Sequence, residues 1–338
     1  MRSHVCLIHV GGTIGMVRTP QGYAPQAGYL RTVLAQLPEL QKEEMPLVTL
    51  IEMDPLLDST NVALREWNAI GQQIAQHYAD YDGFVVLHGT DTMAYTAGAL
   101  AFMLHGLAKP VVLTGSQIPF CEVRSDARDN LLTAVLIAAR TDIHEVCLYF
   151  GGQLLRGVRA TKLSADELVA FDSPNEPPLA VCGTRIRPQE KLLLPAPAAP
   201  FRFVPFARQN IAVLKIFPGI QFGIFEHILT EGMAGIVLEA FGAGNVPASE
   251  ENGLVRMLRR AHACGTAVVV VTQCLRGTAQ PGLYAVSAGL RALDVICGYD
   301  MTVEAAVTKL YALLSEGVRG AALKARMETP LCGELTRD

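Results

Sequence analysis

Val5-Cys6-Leu7-Ile8-His9-Val10 is a short, almost wholly apolar run that stops abruptly at Gly11-Gly12-Thr13-Ile14-Gly15. An unbroken apolar run of this length, bounded by turn residues, reads as a strand buried on both faces, the kind found in parallel sheets. The glycines after it let the backbone turn sharply and let a ligand approach closely. In a parallel sheet the ligand crevice lies beyond the carboxyl ends of the strands, so Thr13 is expected to face a pocket. A plain structural turn remains the alternative. The G-x-G-x-x-G spacing of a dinucleotide loop is missing, and a P-loop is excluded for want of Gly-Lys-Ser/Thr.

Working outward, the same rhythm recurs. Strand-like apolar runs fall at 47–51, 84–88, 111–115 and 146–150, and again at 211–217, 235–239 and 267–272. Between them, 64–78, 92–106 and 125–140 carry apolar residues at three- and four-residue steps, as amphipathic crossover helices do. The stretch 188–209 breaks the pattern with Pro188, Pro195, Pro197, Pro200 and Pro205. Proline fixes φ and removes a donor, so this segment reads as an extended connection. Beyond it, helices are expected at 222–231, 250–263 and 302–316, the last capped by Asp300 or Thr302 and stopped by Gly317. The fold class is therefore α/β, with mainly parallel sheets and helices on both faces. The expected domains are an N-terminal catalytic domain over 1–187, a linker over 188–209 and a smaller C-terminal domain over 210–338.

Composition narrows the function. In 338 residues, 28 Lys and Arg face 32 Asp and Glu, a net charge of −4, so there is no basic excess for nucleic acid or an anionic membrane. Half the residues are apolar and only 18% charged, the balance of an ordered globule. No run approaches the roughly 18 apolar residues of a membrane span, and 5–10 is too short for a signal-peptide core. The eight cysteines, Cys6, Cys121, Cys147, Cys182, Cys264, Cys274, Cys297 and Cys332, include no C-x-x-C pair. Reduced thiols in a cytoplasmic protein are expected, with no metal.

Four more loops carry polar residues at or near strand ends. His88-Gly89-Thr90-Asp91-Thr92 repeats the Gly-Thr of the first loop and adds a carboxylate; Asp91 or Thr92 also suits a helix N-cap. His88 reads as a packed strand-end histidine. Asp58-Ser59-Thr60-Asn61 and Thr114-Gly115-Ser116-Gln117-Ile118-Pro119 are rich in hydroxyls and amides able to orient a small polar ligand, and Thr161-Lys162 follows the fifth strand. Each alone is an ordinary polar turn or a solvated charge.

Taken in order and at their spacing, these motifs resemble the bacterial-type L-asparaginases, and most closely the cytoplasmic type I enzymes. The resemblance extends through Asp300-Met301-Thr302-Val303-Glu304 to Gly333-Glu334-Leu335-Thr336, so it covers essentially the whole chain. It implies a two-domain fold of Rossmann- or flavodoxin-like units and the hydrolysis of L-asparagine to aspartate and ammonia, with no cofactor. Thr13 would be the nucleophile and Tyr23, on the loop after it, would activate or shield it. Thr90, Asp91 and Lys162 would form the second catalytic trio. Gly12, Asp58, Ser59, Thr60, Gly89 and Ser116 would bind substrate, and the assembly would be a homodimer or homotetramer with sites at subunit interfaces. The resemblance also places a possible regulatory site at Thr161, Glu239, Asn245 and Cys274. There some type I enzymes carry an arginine for the effector's carboxylate, whereas this chain has Glu239, an anion that would repel it.

A threonine hydroxyl needs a neighbouring base. Desolvation lowers a lysine's pKa while an adjacent carboxylate raises it, so the sequence leaves open whether Lys162 is base or electrostatic support. Two other functions share the pattern. One is the archaeal amidotransferase subunit acting on misacylated tRNA, which has an extra N-terminal domain and which a net charge of −4 suits poorly. The other is a small-ligand sensor, against which the paired hydroxyls with Lys162 speak.

Overall fold

The computed structural model describes residues 2–225, 232–247, 253–281, 290 and 293–337, and the chain divides into two compact units, Met1–Pro205 and Phe206–Asp338. The first unit is built on an eight-stranded sheet. From edge to edge it runs Ile186–Pro188 (β13), Ala180–Cys182 (β12), Gln153–Arg156 (β9), Val146–Phe150 (β8), Val111–Thr114 (β7), Gly83–Leu87 (β5), His4–Gly11 (β1) and Leu47–Leu57 (β4). Strands β4, β1, β5, β7 and β8 are parallel, and β9, β12 and β13 add on antiparallel.

Alternation along the strands sends side chains to two buried faces. Val5, Leu7, Val85, Leu87 and Val112 share one core with Leu30 and Leu34 of helix α1 (Tyr29–Gln36) and Leu131 and Val135 of α4 (Ala127–Ala138). Cys6, Ile8, Phe84 and Val86 point the other way and are equally buried. Helices α2 (Leu64–Gln76) and α3 (Met93–Met103) pack together, with α2 against β1 and α3 against β7 and β8. Covering both faces is what made these strands read as continuous apolar runs.

Strand order fixes where a ligand can sit. From β1 the chain passes through α1 to β4 on one side, then through α2 to β5 on the other side of β1, and onward to β7 and β8. The order reverses at β1, so the crevice lies between the carboxyl ends of β1 and β5. Thr13 and Thr90 follow those two ends.

The proline-rich stretch is extended, but up to Pro205 it belongs to the first unit. Arg202–Phe203 (β14) pairs with Leu104–His105 (β6), and the Phe201 ring stacks on Tyr78 with centroids 3.7 Å apart. Buried Arg156 holds Glu145 at 2.7 Å, contacts Glu176, and donates to the Leu192 carbonyl.

The second unit has a four-stranded parallel sheet in the order Ile211–Lys215 (β15), Gly235–Ala240 (β16), Ala267–Thr272 (β17) and Ile296–Cys297 (β18). Ile236, Leu238, Val268 and Val270 pack on Met257, Leu258 and Ala261 of α5 (Leu254–Ala263). Of the helix expected over 222–231, the described part is a single 3-10 turn at Phe222–Ile224, and 226–231 lie outside the described residues. Residues 250–252 of the expected 250–263 helix do too. Helix α6 (Val303–Ser315) is capped by Thr302, whose hydroxyl accepts from Ala305 N at 3.1 Å, while buried Asp300 takes the Thr336 N–H at 2.7 Å. Gly317 ends that helix region at φ 79°. Helix α7 (Gly320–Met327) follows, and the fully buried Lys309–Glu334 pair, 2.5 Å apart, fixes the last segment. Among the described residues no helix is long and apolar enough to cross a membrane, and all eight cysteines are free thiols.

Candidate active site

The two threonine loops meet backbone to backbone. Gly12 donates its N–H to Leu57 O at 2.9 Å and lies at φ 80°, ψ 175°, a conformation that excludes a side chain. A Cβ built on Gly12 would fall 2.3 Å from Gly89 N, and one on Gly89 would fall 2.5 Å from Ser59 Oγ. Contact this close is available only to glycine, so Gly12, Gly89 and Ser59 are stacked at the strand-order reversal. Thr13 opens the 3-10 turn Thr13–Gly15 on one side of that stack, and Thr90, 6% exposed, stands on the other.

Lys162 reaches Thr90 and Asp91 from the short strand Thr161–Lys162 (β10), which pairs with Phe171–Asp172 (β11). Its Nζ donates to Thr90 Oγ1 and to Asp91 Oδ1, both at 2.7 Å. The Thr90 hydroxyl then donates to Gln117 Oε1 at 3.3 Å, and Gln117 Nε2 donates to Glu167 O at 3.1 Å. The direction of the Thr90 proton is therefore set: the hydroxyl accepts from the ammonium and gives to an amide oxygen. The Lys162 side chain is 19% exposed and that of Asp91 is 57%.

Asp58 caps the turn Ser59–Asn61, accepting from Thr60 N at 2.9 Å and from Thr60 Oγ1 at 2.8 Å. Thr60 is thereby committed to Asp58 and faces outward. Ser59 is buried, and its carbonyl accepts from Thr92 Oγ1 at 2.8 Å. That bond explains a departure from expectation: Thr92 occupies the N-cap of α3, yet its hydroxyl ties the β5 loop to the Ser59 loop instead of capping the helix. Ser116 is 1% exposed, and its hydroxyl has no partner among the described residues.

His88 is the buried strand-end histidine its sequence position suggests. Its environment forms a directed chain: Trp67 Nε1 donates to Thr96 Oγ1 at 3.1 Å, Thr96 donates to His88 Nε2 at 3.0 Å, and His88 Nδ1 donates to Gly89 O at 2.7 Å. A carbonyl can only accept, which assigns the proton to Nδ1. Burial lowers the His88 pKa to about 4, so the ring is neutral at pH 7. His9 is also buried; desolvation pushes its pKa down and the Glu52 contact at 3.3 Å opposes this.

Tyr23, on the loop after Thr13, lies in a two-stranded hairpin, Met16–Thr19 (β2) against Gly22–Pro25 (β3). Its hydroxyl donates to Glu122 Oε1 at 2.7 Å, and Arg18 Nε donates to the same oxygen at 2.7 Å. The Tyr23 hydrogen bond first, and that of Arg18 second, hold Glu122 below the usual carboxylate range. Glu122 escaped the sequence reading, as did Asp126 and Asn130. Asp126 accepts from Gln117 N at 3.0 Å and Ile118 N at 2.9 Å, and Asn130 Nδ2 donates to Gly115 O at 3.0 Å. A polar pair at the start of a helix was the available signal for these two.

Of the expected regulatory residues, Thr161 belongs to the first unit, and Glu239, Asn245 and Cys274 to the second. Glu239 on β16 lies 3.5 Å from Lys215 Nζ, Cys274 is exposed just past β17, and Asn245 Oδ1 is buried without a partner among the described residues.

Comparison with known proteins places these features. A family model described as "Asparaginase, N-terminal" matches residues 4–193, and "Glutaminase/Asparaginase C-terminal domain" matches 210–327. The chain is 44% identical over 337 residues to L-asparaginase 1 of Escherichia coli K12, covering 100% of this chain and 99% of that protein. The crystal structure of L-asparaginase I from Vibrio cholerae superimposes with a TM-score of 0.92 at 43% identity, covering 100% of both chains. The thermostable L-asparaginase of Thermococcus kodakarensis gives 0.89 at 31% identity, covering 99% of this chain and 100% of that one.

Proposed function

The chain belongs to the asparaginase family, and from that membership we propose that it hydrolyses L-asparagine to L-aspartate and ammonia through a threonine acyl-enzyme. The observation that carries the chemistry is Lys162 Nζ at 2.7 Å from both Thr90 Oγ1 and Asp91 Oδ1, beside the Gly12–Gly89 contact that brings the Thr13 and Thr90 loops together.

In this reading Thr13 Oγ1 attacks the carboxamide carbon. A C–O bond forms, the carbonyl oxygen takes the negative charge, and backbone amides at Gly89 and Thr90 stabilise it, a contribution of several kcal/mol in other enzymes. The C–N bond then breaks as the proton given up by Thr13 reaches the nitrogen, so that ammonia leaves, and water then attacks the ester, returning a proton to Thr13 Oγ1 and releasing aspartate. Lys162 supplies positive charge and, with Thr90, a proton route. Asp58, Ser59 and Asp91 hold the α-amino and α-carboxylate groups, and the Ser116 hydroxyl, without a partner among the described residues, is left for the substrate.

Assembly as a homodimer or homotetramer completes the reading. Its support is apolar surface left on the second unit, where Val213, Phe217, Ile224 and Leu275 are 44%, 57%, 70% and 61% exposed. Free thiols at exposed Cys121, Cys264 and Cys274 suit a reducing, cytoplasmic setting.

The test is kcat/KM for L-asparagine against L-glutamine. A site that fixes both α-groups tolerates one extra methylene badly, so asparagine is expected to lead by about 10- to 200-fold. Equal values, or ammonia from neither, would refute the proposal. Thr13→Ala is expected to abolish turnover with the fold intact. Mass spectrometry of enzyme trapped with a slow substrate should place the acyl group on the Thr13 peptide, and an adduct on Thr90 would reverse the two roles.

A further inference from the structure

Tyr23 is 45% exposed, yet its hydroxyl group is fully committed. It donates to Glu122 Oε1 at 2.7 Å and accepts from Arg18 Nε at 3.3 Å, while the Arg18 guanidinium lies 5.8 Å from the Tyr23 ring centre. Arg18 and Tyr23 are cross-strand partners in the hairpin, so their pairing follows from its register. Glu122 is different. It is 99 residues further along the chain and sits in the turn that continues the Ser116–Gln117 loop, with its N–H on Pro119 O at 3.0 Å. One carboxylate therefore ties the hairpin that follows Thr13 to the loop that carries Ser116.

The chemistry of the phenol sharpens this. Its proton is given to a carboxylate and its oxygen accepts from a guanidinium, so the hydroxyl is anchored from both sides. We propose that Glu122 is a positioning residue: with Arg18 it latches Tyr23 and its hairpin over the strand-end loops, so that Tyr23 closes the site instead of serving as its base. This rests on the proposed hydrolysis of asparagine.

The experiment compares Glu122→Ala, Glu122→Gln, Tyr23→Phe and the double variant Glu122→Ala/Tyr23→Phe, with Trp67 fluorescence confirming the fold of each. Glu122→Ala and Tyr23→Phe are each expected to lower kcat/KM for L-asparagine about tenfold, mainly through KM, the size of one partly exposed charge-assisted hydrogen bond. The double variant should lose no more than either single one, because both break the same contact. Glu122→Gln keeps an acceptor oxygen and should recover most of the loss. Independently of turnover, trypsin should cut the Arg18–Thr19 bond about tenfold faster in Glu122→Ala than in the wild type, as the population of open hairpin rises.

Unchanged cleavage and unchanged kcat/KM in Glu122→Ala would overturn the latch. Additive losses in the double variant would overturn it too. A fall in kcat of about a thousandfold or more in Tyr23→Phe alone, with KM unchanged, would make Tyr23 the base. If the wild type released no ammonia, the proposed reaction would fall while the cleavage comparison still decided the latch.

Discussion

Both units end parallel strands in polar loops, but among the described residues the loops of the first pack the more closely, through glycine backbones. At β1 and β5, Gly12 and Gly89 touch through their backbones, Ser59 fills the next layer, Thr92 ties the β5 loop to the Ser59 loop, and His88 braces Gly89 within its own loop. At β16 and β17 the corresponding ends carry Glu239, Gln273 and Cys274; Gln273 Nε2 donates to Ile216 O and Glu239 O, while nothing lies within 4 Å of a Cβ placed on Gly242 or Gly277. Each place has a lysine near a carboxylate, at 2.7 Å for Lys162–Asp91 and 3.5 Å for Lys215–Glu239. What sets the first apart is close packing: its polar groups stand on loops whose glycine backbones leave no room for a side chain, an arrangement that suits the preorganisation catalysis requires.

Substituting one glycine in each place puts that difference under the greatest stress. Gly12→Ala introduces both a forbidden dihedral pair and a contact with the Gly89 backbone, so it should cost about 3 kcal/mol or more and abolish turnover. Gly242→Ala meets only the left-handed penalty at φ 47°. That costs about 1 kcal/mol and should leave turnover unchanged. Urea unfolding followed by far-ultraviolet circular dichroism reports both units, Trp67, the single tryptophan, reports the first, and ammonia release reports the site. Similar losses from the two substitutions would mean that close packing is not the distinction.

A smaller effect is expected from acid, again confined to the first unit. Burial lowers the His88 pKa to about 4 from its ordinary value of 6.5. Its unfolded form therefore binds the extra proton between these values. The stability it contributes is complete above pH 6.5 and is lost as pH falls toward 4. Full loss amounts to about 3 kcal/mol, and buried His9, pushed the same way, adds to it. Trp67 donates to Thr96 in the same hydrogen-bond chain, so its fluorescence should show urea midpoints falling steeply from pH 7 to 4.5 in the wild type and less steeply in His88→Gln. Parallel slopes would show that His88 is not the titrating group.

The same comparison explains what the sequence disclosed. Strands β1, β5, β7 and β8 were legible because burial on both faces leaves no polar interruption. Strand β4 was read as ending at residue 51, but it runs to Leu57, since an edge strand accommodates Glu52, Asp54 and Pro55. The hairpin β2–β3 was hidden for the opposite reason: it is partly exposed and has no apolar alternation. Thr13, Thr90, Asp58 and Lys162 were visible as polar residues at or near strand ends, helped by the family pattern. Glu122 and Gln117 act through partners 99 and 27 residues away, and no local spacing announces such pairs. Thr92 matched a helix cap in sequence, but a nearby carbonyl on another loop offered its hydroxyl a different acceptor.

The smallest effect belongs to the strand ends of the second unit. If an effector's carboxylate approached Glu239 within 4 Å at an effective dielectric near 20, the like-charge contact alone would cost about 4 kcal/mol. The structure puts Lys215 beside Glu239, 3.5 Å away. The Lys215 side chain is 63% exposed, so solvent screens its attraction, and it offsets only part of the repulsion. Effector binding should remain weak. The rate in L-asparagine should rise hyperbolically, with a Hill coefficient of about 1. Initial rates at constant protein concentration check this. A sigmoidal curve that disappears on mutating Thr161, with the maximal rate retained, would show that asparagine binds a second site here despite Glu239. The strand ends of the second unit would then support regulation while those of the first carry the chemistry.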